Sequence, residues 1–133
     1  MINDDLKLKG KLAIAINGEV VQEVDNLVVT AGKGYVASRI KDASATAMSH
    51  MEIGSGSTAA AASDTALGSA LGRVSLTSTN VSSAVVTYVA TFGAGTGTGA
   101  VTEAGLFNAS SGGTMLCRTV FSVVNKGSAD SMT

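Results

Sequence analysis

The chain has 133 residues, nine basic and ten acidic side chains, one His, one Cys, no Pro and no Trp. A single Cys cannot form an internal disulfide, and one His with one Cys cannot build a Cys/His zinc site. Charged residues are only 14% of the chain, and a formal net charge of −1 supplies no general attraction for nucleic acid or an anionic membrane.

Gly, Ala, Ser and Thr make up about half of the sequence, but a hydrophobic fraction of 45% argues for a folded domain rather than a linker. No apolar run approaches the ~18 residues of a membrane span. Met1-Ile-Asn-Asp-Asp5 carries acids where an export signal carries basic residues, so the chain is expected to be made in the cytoplasm. We read residues 1–5 as a polar N-terminal arm and 6–133 as a single β-rich domain.

Leu6, Leu8, Leu12, Ile14 and Ile16 alternate with Lys7, Lys9, Lys11, Ala13 and Ala15, the period of a half-buried strand. Asn17-Gly18 then separates this run from Glu19–Val24, and Asn-Gly between two such runs predicts a hairpin. Thr30 is placed to cap a short helix over about 32–42, with Tyr35, Val36, Ala37 and Ile40 near one face. Met48–Ile53 reads as a strand closed by Gly54-Ser-Gly56, and 57–72 as a loop with a helical turn. Further strands are expected in 73–79, 85–92, 101–108 and 114–124, with Gly93–Gly99 and Ala109–Gly113 as turns. The sum is a mainly β domain, an antiparallel β-sandwich or barrel of about seven short strands with one helix.

Motifs that would carry chemistry are incomplete. Gly95-Thr-Gly-Thr-Gly-Ala100 fits G-x-G-x-x-G/A, yet the residues after it read as a strand and not as the helix that must meet a pyrophosphate. Ser38-Arg-Ile-Lys41 matches S-x-x-K without its companion elements. His50 has no serine elbow to serve, and Cys117, between Leu116 and Arg118, is a small core residue. Asp4-Asp5 is a poor cation cage. No catalytic, cofactor-binding or metal-ligating residue is therefore named, and an enzyme is not expected.

Two other groups are singled out. Leu6, Lys7, Lys9 and Lys11 form a candidate interface to another protein, the alternative being a solvated edge guarded by lysines. Glu103 lies among apolar residues in a predicted strand and needs a partner, for which Arg118 on the next strand is the candidate. Gly18, Gly54 and Gly56 are read as turn glycines.

Several blocks together resemble small virion structural proteins of tailed bacteriophages: tail-fibre or collar-type attachment modules and head-associated accessory proteins. These blocks are Asn26-Leu-Val-Val-Thr-Ala-Gly32, Ser49-His-Met-Glu-Ile-Gly-Ser-Gly-Ser-Thr58, Asp64-Thr-Ala-Leu67 leading to Arg73, Thr102-Glu-Ala-Gly-Leu-Phe-Asn108, and Met115-Leu-Cys-Arg-Thr-Val-Phe121. The resemblance covers about 26–133. It implies a non-enzymatic building block, made in the bacterial host cytoplasm and assembled into the virion. Its partners would be further copies of itself, with a trimer among the expected states, and other virion proteins, without nucleic acid, membrane or cofactor. The alternative from another class is a glycan- or host-surface-binding module of a fibre, for which two Tyr and no Trp offer few platforms. Relatives of this type continue into a further strand after the part matching Ser128–Thr133; here either the sequence is shortened or a neighbouring chain completes the sheet, an unpaired edge being open to strand addition.

Overall fold

A computed structural model of the chain describes residues 6–133; the polar arm 1–5, with Asp4-Asp5, lies outside the described residues. The described residues are mainly β, with eight strands in antiparallel sheets and one helix. The strands are β1 (Gly10–Ile16), β2 (Glu19–Val28), β3 (His50–Gly54), β4 (Ala70–Ser75), β5 (Ser78–Ser82), β6 (Val85–Val89), β7 (Gly99–Phe107) and β8 (Met115–Lys126). Helix α1 spans Thr30–Lys41. Six strands form one sheet in the order β1-β2-β8-β7-β3-β4, and β5 pairs with β6 alone. The sheets do not close into a barrel; the arrangement is sandwich-like.

The first hairpin turns where Asn17-Gly18 places it. Both residues have positive φ, 49° and 86°, as a type I′ turn demands. Apolar alternation holds along β1, whose Ile14 is buried between exposed Ala13 and partly covered Ala15. The strand begins at Gly10, however, and not at Leu6. Residues 6–9 belong to no strand, and Leu6 is 65% exposed. A period of two is satisfied by any extended segment, and without a partner for its backbone groups no ladder forms.

The predicted 73–79 strand divides instead into β4 and β5, because the chain leaves the main sheet at Leu76 to make a separate β5–β6 hairpin turning at Ser82-Ser83-Ala84-Val85. Its Ser83 has φ 53°. The 57–72 segment forms no helix beyond a single turn in which the Asp64 N–H donates to the Ala61 carbonyl at 3.0 Å, and from Ala70 it already belongs to β4. Its one tight feature is the Ala61–Asp64 turn, where Asp64 accepts the Ala61 N–H at 2.8 Å.

Helix α1 starts two residues earlier than expected, and it is capped differently. Thr30 is its first residue, Val29 stands at the N-cap, and no side chain bonds the first turn. The expected apolar face packs only in part: Tyr35 lies against the Met48–Leu106–Cys117 cluster and Val36 is half-buried, while Ala37 and Ile40 are exposed, and the fully buried residue is Gly32. The helix lies on β8 through that glycine, where an added Cβ would strike the Leu116 carbonyl oxygen.

Alternation divides the central strands into two faces. Glu103 and Arg118 look one way, toward the 55–69 loop; Ala104, Leu106, Cys117 and Thr119 look the other way, where the β1–β2 and β5–β6 hairpins approach. The largest apolar cluster joins Ile14, Ile53, Ala90, Phe92, Val101, Phe121 and Met132 across this second face. Residues 131–133 pair within the chain. Met132 exchanges both backbone bonds with Phe92, at 2.7 and 3.0 Å, and Thr133 exchanges both with Ala15, at 2.8 and 2.9 Å.

Candidate functional site

The charged centre of the molecule is built on the first face. Glu103 is 0% and Arg118 3% exposed. Arg118 donates Nε and Nη2 to Glu103 Oε2 at 3.0 and 2.8 Å, Nη1 to Asp64 Oδ2 at 2.8 Å, and Nη2 to the Thr58 carbonyl at 3.0 Å. The carboxylate is enclosed further by backbone. Gly56 N–H and Ser69 N–H donate to Oε1 at 2.8 and 2.7 Å, and Gly68 N–H donates to Oε2 at 2.9 Å.

Burial alone would raise the Glu103 pKa; the N–H donors of Gly68 and Ser69, then Arg118 and Gly56, outweigh it and hold the carboxyl below its ordinary value. Asp64 is lowered as well, first by the Ala61 N–H and then by Arg118. An acid with five donors on its two oxygens has no free lone pair aimed at a substrate. Chemically this cluster is a clamp that ties the long 55–69 loop to β7 and β8.

The glycines of that loop answer to the clamp. Gly54 and Gly56 lie in no turn, the first being the end of a strand and the second part of the irregular stretch after it. Gly54 ends β3, and Gly56 lies beside Glu103; a Cβ on Gly56 would come within 2.8 Å of the carboxyl carbon. Only Gly18 of the three serves a turn. Sequence reasoning paired Glu103 with Arg118 but not with Asp64 or the three backbone donors, because a loop's fold is not written in local periodicity. The one available signal was the density of Gly, Ser and Asp between 54 and 69.

A second ion pair stands nearby. Arg73 Nε meets Glu52 Oε2 at 2.7 Å, its guanidinium lies 3.7 Å over the Phe107 ring, and Nη1 donates to the Ala109 and Gly112 carbonyls. Lys126, also unremarked in the sequence, is buried and donates Nζ to the Gly93 and Asp130 carbonyls at 2.9 and 2.7 Å. It fastens the glycine-rich turn to the 127–130 turn. Gly95, Gly97 and Gly99 all have positive φ in that turn, and strand β7 follows directly, so no helix N-terminus exists there to hold a phosphate.

The candidate interface residues do not share one strand face. Lys7 and Lys9 are exposed on the lead-in with Leu6, and only Lys11 belongs to β1. His50 sits at the start of β3 between Ser49 Oγ at 2.7 Å and Ser75 Oγ at 3.3 Å, with no carboxylate among the described residues in hydrogen-bond contact. Among the described residues no three His, Cys, Asp or Glu side chains converge as metal ligands. None of the helices there is long and apolar enough to cross a membrane.

Cys117 is buried on the second face, and burial pushes its thiol up to about 11. The folded protein is therefore expected to leave Ellman's reagent unreacted near neutral pH and to titrate fully once denatured. Rapid labelling of the native chain would show that this strand opens.

The second face also carries an apolar groove of about 1320 Å³ between β1 and β6. Its floor includes Ile53, Leu106, Cys117 and Phe121. Against this geometry, no family model, curated protein or solved structure matches the chain.

Proposed function

We propose that the chain is a non-enzymatic structural protein of a tailed-phage virion, docking in repeated copies on the tail or fibre apparatus or on the head surface. The observation that carries this reading is a long uncharged surface. From Val74 to Thr102 there is no charged side chain, and within it Val81, Val85 and Val86 are exposed on a two-stranded hairpin with no other strand beside it.

Free edges ordinarily carry lysine or another guard against association, and surfaces covered in an assembly are depleted in charge. The resemblance described from the sequence supplies the particle, and its partners are further copies of this chain and other virion proteins. With the buried acids and bases spent on one another, docking is the work left to the surface.

Light scattering on the purified chain tests the association. A multimer, a trimer among the expected states, is the expected mass; a monomer at every concentration up to the limit of solubility overturns it. Imaging of intact particles tests the location. Density for this chain spread over the head lattice marks decoration, and density confined to the tail marks an attachment module.

A further inference from the structure

Asn17 alone of the six asparagines is followed by glycine, and its side chain does more than shape the hairpin turn. The carboxamide is held at both ends by a turn 113 residues further along the chain. Nδ2 donates to Asp130 Oδ1 at 3.0 Å, and Oδ1 accepts the Ser131 N–H at 3.0 Å. The Asn17 N–H donates in turn to the Ser131 carbonyl at 2.8 Å. That turn is itself braced. Asp130 Oδ2 accepts the Gly127 N–H at 2.8 Å, and the buried Lys126 holds the Asp130 carbonyl at 2.7 Å.

Asparagine before glycine is chemically unstable wherever it is free to move. The Gly18 nitrogen attacks Asn17 Cγ; the N–Cγ bond forms, the Cγ–Nδ2 bond breaks, and Nδ2 leaves as ammonia with the Gly18 amide proton. Water, the sole co-reactant, then opens the cyclic imide. Addition at Cγ breaks the new N–Cγ bond and leaves aspartate. Addition at the main-chain carbonyl carbon breaks the original peptide bond and leaves isoaspartate, with the chain running through the side chain.

Gly18 has no side chain to shield its nitrogen, and a Cβ built there would meet nothing within 4 Å. What stands in the way is the grip on Asn17. To turn its face to that nitrogen the carboxamide must give up both the Asp130 and the Ser131 bonds. The backbone must swing as well, because at its left-handed φ of 49° the following nitrogen lies roughly opposite Cβ.

We infer that Asn17-Gly18 is a self-modification site whose lock is the 127–131 turn: docked, the turn keeps the carboxamide intact, and undocked, it exposes Asn17 to conversion into aspartate or isoaspartate. The products also oppose relocking. Aspartate lacks the Nδ2 donor and sets a second carboxylate against Asp130. That acid is ionised near neutrality, held below the ordinary carboxylate range first by the Asn17 amide and then by the Gly127 N–H. Isoaspartate adds a main-chain atom to a two-residue turn whose strands meet at Ile16 opposite Glu19, and the type I′ form is lost. Either product weakens the seat of Ser131, and with it the bonds of Thr133 to Ala15 and of Met132 to Phe92. A chain that has stayed open long enough to react therefore keeps a covalent record of it in the first hairpin. This inference goes beyond the virion reading and does not depend on it.

The test ages the full chain in mildly alkaline buffer, folded and in urea, and follows residue 17 by peptide mapping and by labelling with an isoaspartate methyltransferase. The unfolded chain is expected to convert Asn17 ahead of the other five asparagines, and the folded chain at least about tenfold more slowly. Asp130→Ala, which frees Nδ2, is expected to speed conversion in the folded state at least about threefold. Amide exchange at Ala15, Asn17 and Thr133 is expected to quicken at least about tenfold in Asn17→Asp, which stands for the aspartate product. Equal rates in the folded and unfolded chain, or unchanged exchange in Asn17→Asp, would overturn the inference. So would a folded Asp130→Ala chain that reacts no faster than the parent. The comparison in urea needs no variant, so it decides the matter even where Asp130→Ala unfolds.

Discussion

Replacing Arg118 by Met is expected to destabilise the domain by about 3–5 kcal/mol, the range found when one partner of a buried ion pair is removed. The cost does not come from the lost attraction alone. Glu103 is fully buried, and without Arg118 its charge has only three backbone N–H groups to hold it. Glu103→Gln is expected to be nearly as damaging, although it preserves shape. Oε1 accepts from Gly56 and Ser69, while Oε2 accepts from Gly68 and Arg118, so an amide nitrogen at either position faces donors. Asp64→Asn is the milder change, because that carboxylate is partly exposed and Arg118 keeps Glu103. Urea unfolding of the three variants checks the order. An Arg118→Met protein as stable as the parent would mean that the loop is held by something other than this clamp.

The same carboxylates set a pH dependence. Both Glu103 and Asp64 have folded pKa values below their unfolded ones. Above the ordinary carboxylate range both states are deprotonated, and the full stabilisation is present. As pH falls through that range the unfolded chain takes up protons that the folded chain refuses, and stability declines; below the folded values none of this contribution remains. Thermal unfolding is therefore expected to move to lower temperature on acidification, and the acid slope is expected to flatten in Glu103→Gln.

The second large effect lies at a glycine. Alanine inside a helix is normally favoured over glycine by about 1 kcal/mol, yet Gly32→Ala is expected to destabilise by about 1–3 kcal/mol. Its Cβ would meet main-chain atoms of Leu116, with the carbonyl carbon at 2.8 Å and Cα at 2.9 Å, and main chain in mid-sheet does not move aside as a side chain does. Gly34, two residues on, is the internal control. Nothing lies within 4 Å of a Cβ built there, so Gly34→Ala is expected to stabilise by up to about 1 kcal/mol. Opposite signs in paired denaturant curves are the expected result. A stabilised Gly32→Ala would place the helix farther from the sheet than described.

What was legible in the sequence followed from local chemistry. Asn17-Gly18 announced its turn because few residues tolerate two successive positive φ values. Residues 101–108 and 114–124 announced strands by β-branched and apolar runs, and Glu103 announced its need of a partner by being a charge among them. The helix was found, but its mode of packing was not. A face is usually sought in large apolar side chains; Tyr35 does pack, but the closest approach to β8 is made at Gly32, where there is no side chain at all. The lead-in Leu6–Lys9 failed in the opposite sense, because alternation states what an extended segment would bury and not whether a neighbour is there to bury it. Asp64, Gly68 and Lys126 reach their roles only through loop paths set by tertiary contacts, and a single sequence carries no periodic trace of those.

The antiparallel bridge between Ile16 and Met132 bears on when the domain can fold during synthesis. The first hairpin is local and can form as soon as it leaves the ribosome, but β2 must wait for β8, and the outer edge of β1 waits for residues 131–133. Contacts of such long sequence separation are the slow ones, and until they form the nascent hairpin shows its backbone to every neighbouring chain. Translation through residue 133, more than the speed of hairpin formation, therefore governs how long each new copy remains vulnerable to pairing with the wrong partner.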